Sequence, residues 1–367
     1  MRARALALTL LCAGVANAQY TVEILHSPLV PATSSYGAGA GGGQQVGHTN
    51  LFLVGPSHAL LWEGSAKSLV DLHPAGWDAS YAMATDGKRQ VGWRQDQVAQ
   101  RATMWSGSAK GWVDLHDPTY NETNALGISG DVQVGFGFIT NVGARAVMWR
   151  NTAGSLVSLH PQGFDRSWAW ATDGEHQVGF AQETNSSHAA LWTGSAKTYV
   201  DLHPSGYELS ESTGVAGGQQ SGWASFGGRA HAILWSGFAA SFVDLNPGPN
   251  EEWGSRAFAT NGFSQVGLVA GVHTGGQAHA ALWSGTPGSF VDLHTLLSVD
   301  YLGAGAHSEA TGIDEFGNIV GWARHIPTGA DHAVLWRPVP EPRPIFLLGL
   351  LSFIALLRRK AAHFREK

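Results

Sequence analysis

The sequence predicts an all-β fold made of seven copies of one four-stranded unit. Composition, an internal repeat and the turn chemistry within each repeat all point that way. The 367-residue chain holds 48 Gly and 15 Trp but only 14% charged residues. Gly-rich, aromatic-rich, charge-poor text with short apolar runs suits strands separated by turns. The single cysteine, Cys12, lies in the N-terminal segment, so the body is expected to carry neither a disulfide nor thiolate chemistry.

The repeat has three landmarks. An apolar segment ends at Trp62, Trp105, Trp149, Trp192, Trp235, Trp283 and Trp336, at intervals of 43, 44, 43, 43, 48 and 53 residues. Gln-Val-Gly stands at residues 45–47, 90–92, 133–135, 177–179 and 265–267, with degraded copies at 220–222 and 319–321. VDLH or a close variant stands at residues 70–73, 113–116, 157–160, 200–203, 243–246 and 291–294, with VEILH at 22–26.

Each unit then reads as VDLH, a small-residue A-x-A-T run, a turn, Gln-Val-Gly, a loop and H-A-x-L-W. Asp86-Gly87, Asp173-Gly174 and Asn261-Gly262 are hairpin signals. The Gly after Val predicts close approach of neighbouring backbones. Alternating residues, as in His188–Trp192, support strands.

Four strands in about 43 residues match one blade of a β-propeller. A seven-bladed propeller over residues 19–338 is therefore expected, with four short antiparallel strands per blade. An open β-solenoid is the competing architecture, but its coils are usually shorter than this period. Since the seventh VDLH-like strand lies at Val22–His26, one model of closure has an N-terminal strand completing a blade whose other strands are C-terminal, while the place of closure stays open.

The ends read as addresses. Residues 1–18 carry Arg2 and Arg4, an apolar core and Ala16-Asn17-Ala18, the pattern of a signal peptide cleaved after Ala18. Near the other end, Val339-Pro340-Glu341-Pro342 precedes an apolar run from Ile345 to Leu357 and then Arg358-Arg359-Lys360. Thirteen apolar residues are few for a span of about 20.

Residues 339–360 resemble the PEP-CTERM sorting signal of Gram-negative bacteria that make extracellular polysaccharide. The resemblance implies transient inner-membrane insertion of a short helix over 345–357 and handling by an exosortase-type enzyme. It also implies a location at the cell surface or in the extracellular matrix, after general export. Residues 361–367 would form a cytoplasmic tail, longer than such signals usually carry. The repeat itself resembles the HAF repeats of bacterial extracellular proteins. His-Ala is kept at His58, His188, His231, His279 and His332, while Arg101 and Arg145 replace His in the other two units. That resemblance implies no catalytic residues.

Charge narrows the partners. Residues 19–340 hold 14 Lys or Arg and 26 Asp or Glu, which argues against nucleic acid and anionic membrane surfaces. Histidine recurs at two repeat positions, so pairing within each unit, for example with the VDLH Asp, is preferred to a metal site. No metal or cofactor is expected. Trp93, Trp223 and Trp322 follow Gln-Val-Gly and are assigned to packing with the seven strand-end Trp. Trp77, Trp112, Trp168, Trp170 and Trp253 are the candidates for sugar contact.

Function in repeat folds tends to sit where units differ. The long insertions of the last two units nominate Glu251, Glu252 and Trp253, then Asp300, Tyr301, His307 and Glu309, as ligand-binding residues. No phosphate loop, nucleophile elbow or HExxH motif is present, so no catalytic residue is nominated. The expected function is a non-enzymatic surface or matrix propeller associated with polysaccharide or protein. A secreted glycosidase or lyase is the alternative.

Overall fold

The structure is a computed structural model, in which residues 20–27, 34–50, 57–248 and 254–340 are described. The signal segment with Ala18, and the sorting segment from Glu341 onward with Pro342, Arg358 and Arg359, lie outside the described residues. Pro340 has no regular structure. Among the described residues no helix is long and apolar enough to cross a membrane. The chain divides into Val22–Arg337 and a second unit of terminal segments, Met1–Thr21 with Pro338–Lys367. Of that second unit only Tyr20, Thr21 and residues 338–340 are described.

Among the described residues of the larger unit, strands form five four-stranded sheets and one eight-stranded sheet. In the latter, two four-stranded runs are joined by a single parallel bridge, Ala230 to Gly254. A typical sheet runs from Arg166–Thr172 to Gln177–Glu183, then Ser186–Trp192, then the short Val200–Asp201, all antiparallel.

This phase differs from the one expected. Val200–Asp201 pairs back onto Ser186–Trp192 rather than opening the next sheet. The reason is local: Gly194 takes φ +76° and the 3-10 turn Ala196–Thr198 follows, reversing the chain straight after Trp192. The same phase accounts for the chain ends. Tyr20–Ile24 lies beside Ala330–Pro338, in a sheet completed by Ile319–His325 and Ser308–Ile313. The Leu25 N–H donates to the Ala333 carbonyl at 2.8 Å.

The Gly of Gln-Val-Gly is required by a bulge. Register slips between Ala169 and Ala171, and a Cβ on Gly179 would stand 1.8 Å from the Trp168 carbonyl oxygen. The strand-end Trp residues pack between sheets and are fully buried at all seven sites. Trp192 contacts a cluster that includes Val134, Met148 and Leu159 of the preceding sheet.

A polar clamp repeats alongside this core. Ser210 Oγ accepts the buried Ala189 N–H at 2.9 Å and lies 2.9 Å from His203 Nδ1. His73–Ser80, His116–Thr123, His160–Ser167, His294–Ser308 and His26–Ser35 repeat it, with Asn246 replacing His beside Ser255. The His of H-A-x-L-W pairs with the VDLH Asp at 2.7–2.8 Å in His58–Asp71, His188–Asp201, His231–Asp244 and His279–Asp292. The His residues at these two repeat positions are thus held by side chains of the repeat itself.

Where Arg101 replaces that His, Arg94 reaches the Asp instead. Its guanidinium is 2.6 Å from Asp114 and lies over Trp77 and Trp112, 4.1 and 4.0 Å from their ring centroids. Trp77 and Trp112, nominated for sugar contact, are instead occupied by this cation.

Candidate functional site

The first strand of every sheet carries the clamp Ser or Thr, and the next residue points the other way. That next residue is Tyr36, Tyr81, Asn124, Trp168, Glu211, Arg256 and Glu309 in turn. Each stands opposite the residue after Gln-Val-Gly or its variant on the second strand. The pairs are Tyr36–His48, Tyr81–Trp93, Asn124–Phe136, Trp168–Phe180, Glu211–Trp223, Arg256–Leu268 and Glu309–Trp322.

These strands line a cavity of about 660 Å3. Its wall includes Tyr36, His48, Trp170, Glu211, Trp223, Arg256, Phe258, Glu309 and Trp322. One side is aromatic. Trp322, Tyr36 and His48 line it, with ring centroids 5.5 and 5.4 Å apart, and the run of ring contacts continues behind them to Tyr81 and Trp93 at 5.1 and 4.9 Å. Burial drops the His48 imidazole to about 4, so it is neutral at physiological pH. Burial and the hydrogen bond to Asp331 push the Tyr36 phenol up to about 12, with the hydroxyl donating to Asp331 at 2.7 Å.

The other side is charged. Glu211, Arg256 and Glu309 occupy the same position on three successive first strands. Burial pushes the Glu211 carboxyl up to about 7; Arg256 and the indoles of Trp170 and Trp223 pull in the opposite direction. The Trp170 Nε1 itself has no hydrogen-bond partner of good geometry. Burial, opposed by Arg256 and reinforced by Asp331, also raises Glu309. The Arg256 guanidinium lies 4.6 Å from the Trp223 ring centroid. A carboxyl that titrates at about 7 beside a guanidinium can exchange a proton with a ligand at working pH.

The residues nominated from the insertions separate. Glu251, Glu252 and Trp253 lie outside the described residues. Asp300 is exposed on the 3-10 turn Val299–Tyr301. Tyr301 is buried, its hydroxyl 2.7 Å from His332 Nδ1. His307 rests edge-on against Trp322, with Nδ1 3.1 Å from the Gly305 carbonyl. Of the described four, Glu309 lines the cavity.

Glu211 and Arg256 were missed, and Trp223 and Trp322, read as packing residues, line the cavity with Trp170. The signal was present: the residue after the repeated Ser or Thr varies among aromatic, amide, acidic and basic types, while the residues on either side of it stay small. Among the described residues no group of three or more His, Cys, Asp or Glu converges as a metal site.

A second cavity of about 450 Å3 opens at the hairpin turns and shares Ala40, Thr85, Ile128 and Thr172 with the first. Arg89 on its wall is already bound to Asp86, Asn151 and the Gly130 carbonyl.

No protein-family model matches the chain, and no curated protein matches it. Solved structures do. An oligogalacturonate lyase from Vibrio parahaemolyticus is similar at TM-score 0.56 and 10% identity, covering 87% of this chain and 94% of that one. The β-propeller domain of the trilobed protease from Pyrococcus furiosus is similar at TM-score 0.55 and 9% identity, covering 86% and 98%. TolB from Acinetobacter baumannii aligns at TM-score 0.48 and 11% identity, over 68% of this chain and 62% of its own length. The lyase and the protease domain show the fold of the larger unit to be a β-propeller. A prolyl endopeptidase structure is similar as well, at TM-score 0.53 and 9% identity, covering 87% of this chain and 51% of that one. Enzymes thus stand among the solved chains that share this fold, and the expectation of a non-enzymatic surface or matrix propeller is corrected: neither fold nor missing motifs exclude catalysis.

Proposed function

We propose that this chain is an exported seven-bladed propeller acting as a carbohydrate-active enzyme of lyase type on glycans that contain uronate. The observation that carries the reading is Glu211, a carboxyl pushed up to about 7 beside Arg256 in a cavity walled by Trp170, Trp223 and Trp322. Aromatic faces suit sugar rings, and a fixed guanidinium suits a carboxylate.

The chemistry follows from these groups. Arg256 offsets the charge of the sugar carboxylate. Ionised Glu211 takes the proton from the ring carbon that bears it. The electron pair forms a double bond to the next ring carbon as that carbon's bond to the glycosidic oxygen breaks. Glu309 in its acid form supplies the proton to the leaving oxygen.

Purified protein is tested on oligogalacturonate and other uronate oligosaccharides, following ultraviolet absorbance of the conjugated double bond together with new reducing ends. Both signals are expected, and both are expected to vanish in Glu211→Gln. Reducing ends without absorbance would mean a hydrolase. Neither signal across the panel would overturn the reading.

The signal segment 1–18 and the Pro-Glu-Pro, apolar and basic elements of 339–360 support export followed by exosortase-type processing. Deleting residues 340–360 should change the protein's final location, and an unchanged distribution would count against that sorting role.

A further inference from the structure

The sheet that unites the two ends of the larger unit lacks a charge that Asp71, Asp114, Asp201, Asp244 and Asp292 supply elsewhere; Ser158 stands at that place in one further sheet, where Arg145 replaces the His. The Leu25 N–H donates to Ala333 as Leu72 donates to Ala59 and Leu202 to Ala189. This register sets Ile24 where Asp71 and Asp201 stand. Those aspartates hold His58 and His188 at 2.7 and 2.8 Å. At the seam the Nδ1 of His332 meets the Tyr301 hydroxyl instead, at 2.7 Å.

Imidazoles accumulate there. His26 stacks on His332 with centroids 4.0 Å apart and planes 5° apart, and His325 stacks on His332 at 4.7 Å and 18°. Elsewhere the stacks are pairs, His58–His73, His188–His203 and His279–His294, each holding an Asp. The other ionisable neighbours do not replace that Asp. Asp331 precedes His332 and engages Tyr36 and Arg324. Asp300 and Glu23 are exposed. Tyr301, pushed up to about 12 by burial and by Asp300, is a neutral phenol. His26 also reaches Ser35 Oγ at 2.9 Å, and that oxygen accepts the Ala333 N–H at 3.1 Å. The stack therefore sits on the link between the N-terminal strand and the rest of its sheet.

We propose that the His26–His332–His325 stack is an acid-sensitive latch, whose protonation releases Tyr20–Ile24 from this sheet while the Asp-supplied sheets stay paired. Like charges on stacked rings repel, and among the described residues no carboxylate pairs with the stack to offset them. Burial, then His26 and His325, bring His332 down to about 4, and burial and then His325 lower His26, with no Asp acting against them; burial also lowers His203 and His294, but there Asp201 and Asp292 pull the other way. Both folded values lie below the ordinary 6.5, so the unfolded chain binds more protons in between. The stabilisation is complete above about 6.5 and is lost as pH falls toward about 4.

Amide hydrogen exchange of the full chain tests this, comparing Leu25 with Leu202 as protection factors at about pH 7 and about pH 5. Leu25 protection is expected to fall at least about tenfold relative to Leu202 at the lower pH. Ile24→Asp, which supplies the missing carboxylate, should restore the ratio. An unchanged ratio in the wild type, or an equal acid loss in Ile24→Asp, would overturn the latch.

Discussion

Two neighbouring positions on the first strand of each sheet behave in opposite ways. The clamp position is Ser or Thr in all seven copies, buried at Ser80, Ser210 and Ser308 and bonded to the sheet before it. The next position runs Tyr, Tyr, Asn, Trp, Glu, Arg, Glu. One faces a junction that recurs and must be filled the same way each time. The other belongs to the cavity side of the strand, where no single residue type is imposed. Repetition therefore marks structure in this chain, and failure to repeat marks chemistry.

The largest effect expected to break or sharpen that contrast is catalytic. Glu211→Gln should lower turnover by between about a hundredfold and ten-thousandfold, the range for removing a general base, with circular dichroism unchanged. The same substitution at Glu122, which opens its first strand two positions before Asn124, should leave turnover intact.

At the repeated positions the loss should be in stability. Trp192→Ala, at a fully buried site, should cost about 3–5 kcal/mol in denaturant unfolding. Ser210→Ala leaves the buried Ala189 N–H without its acceptor and should cost about 1–3 kcal/mol, with activity retained in the folded fraction. If Ser210→Ala abolished turnover in fully folded protein, the division between the two positions would fail.

The smallest effect is at the cation. Trp223→Leu removes the ring beneath Arg256 and should raise KM a few-fold, as loss of about 0.5–1 kcal/mol implies. A further signature is pH. Because Glu211 must be ionised to act as a base, kcat/KM should rise with pH through about 7. Its raised value also means that ionisation opposes folding, so Glu211→Gln should increase Tm above about pH 7 rather than decrease it.

Much of the fold was legible because repetition multiplies weak signals. One H-A-x-L-W segment is ambiguous; seven at a steady interval are not. The phase of the sheets was less legible. VDLH reads equally well as the start of one unit or the end of another, and only the reversal at Gly194 and Ala196–Thr198 assigns it to the preceding strand. The site was least legible. Glu309 was found because it follows an insertion, whereas Glu211 and Arg256 sit in unremarkable strands of ordinary length. Their proximity is a property of how the first strands come together at the cavity, with about 45 residues of chain between one and the next. Trp223 and Trp322 were misread because their position after Gln-Val-Gly is itself repeated, although it holds His, Trp, Phe and Leu as well.

An NMR titration of the Glu211 side-chain carboxyl tests most directly whether the non-repeating position carries the chemistry. The environment beside Arg256 predicts a midpoint of about 7. A midpoint near the ordinary glutamate value of about 4.3 would leave it an unexceptional surface acid and contradict the account.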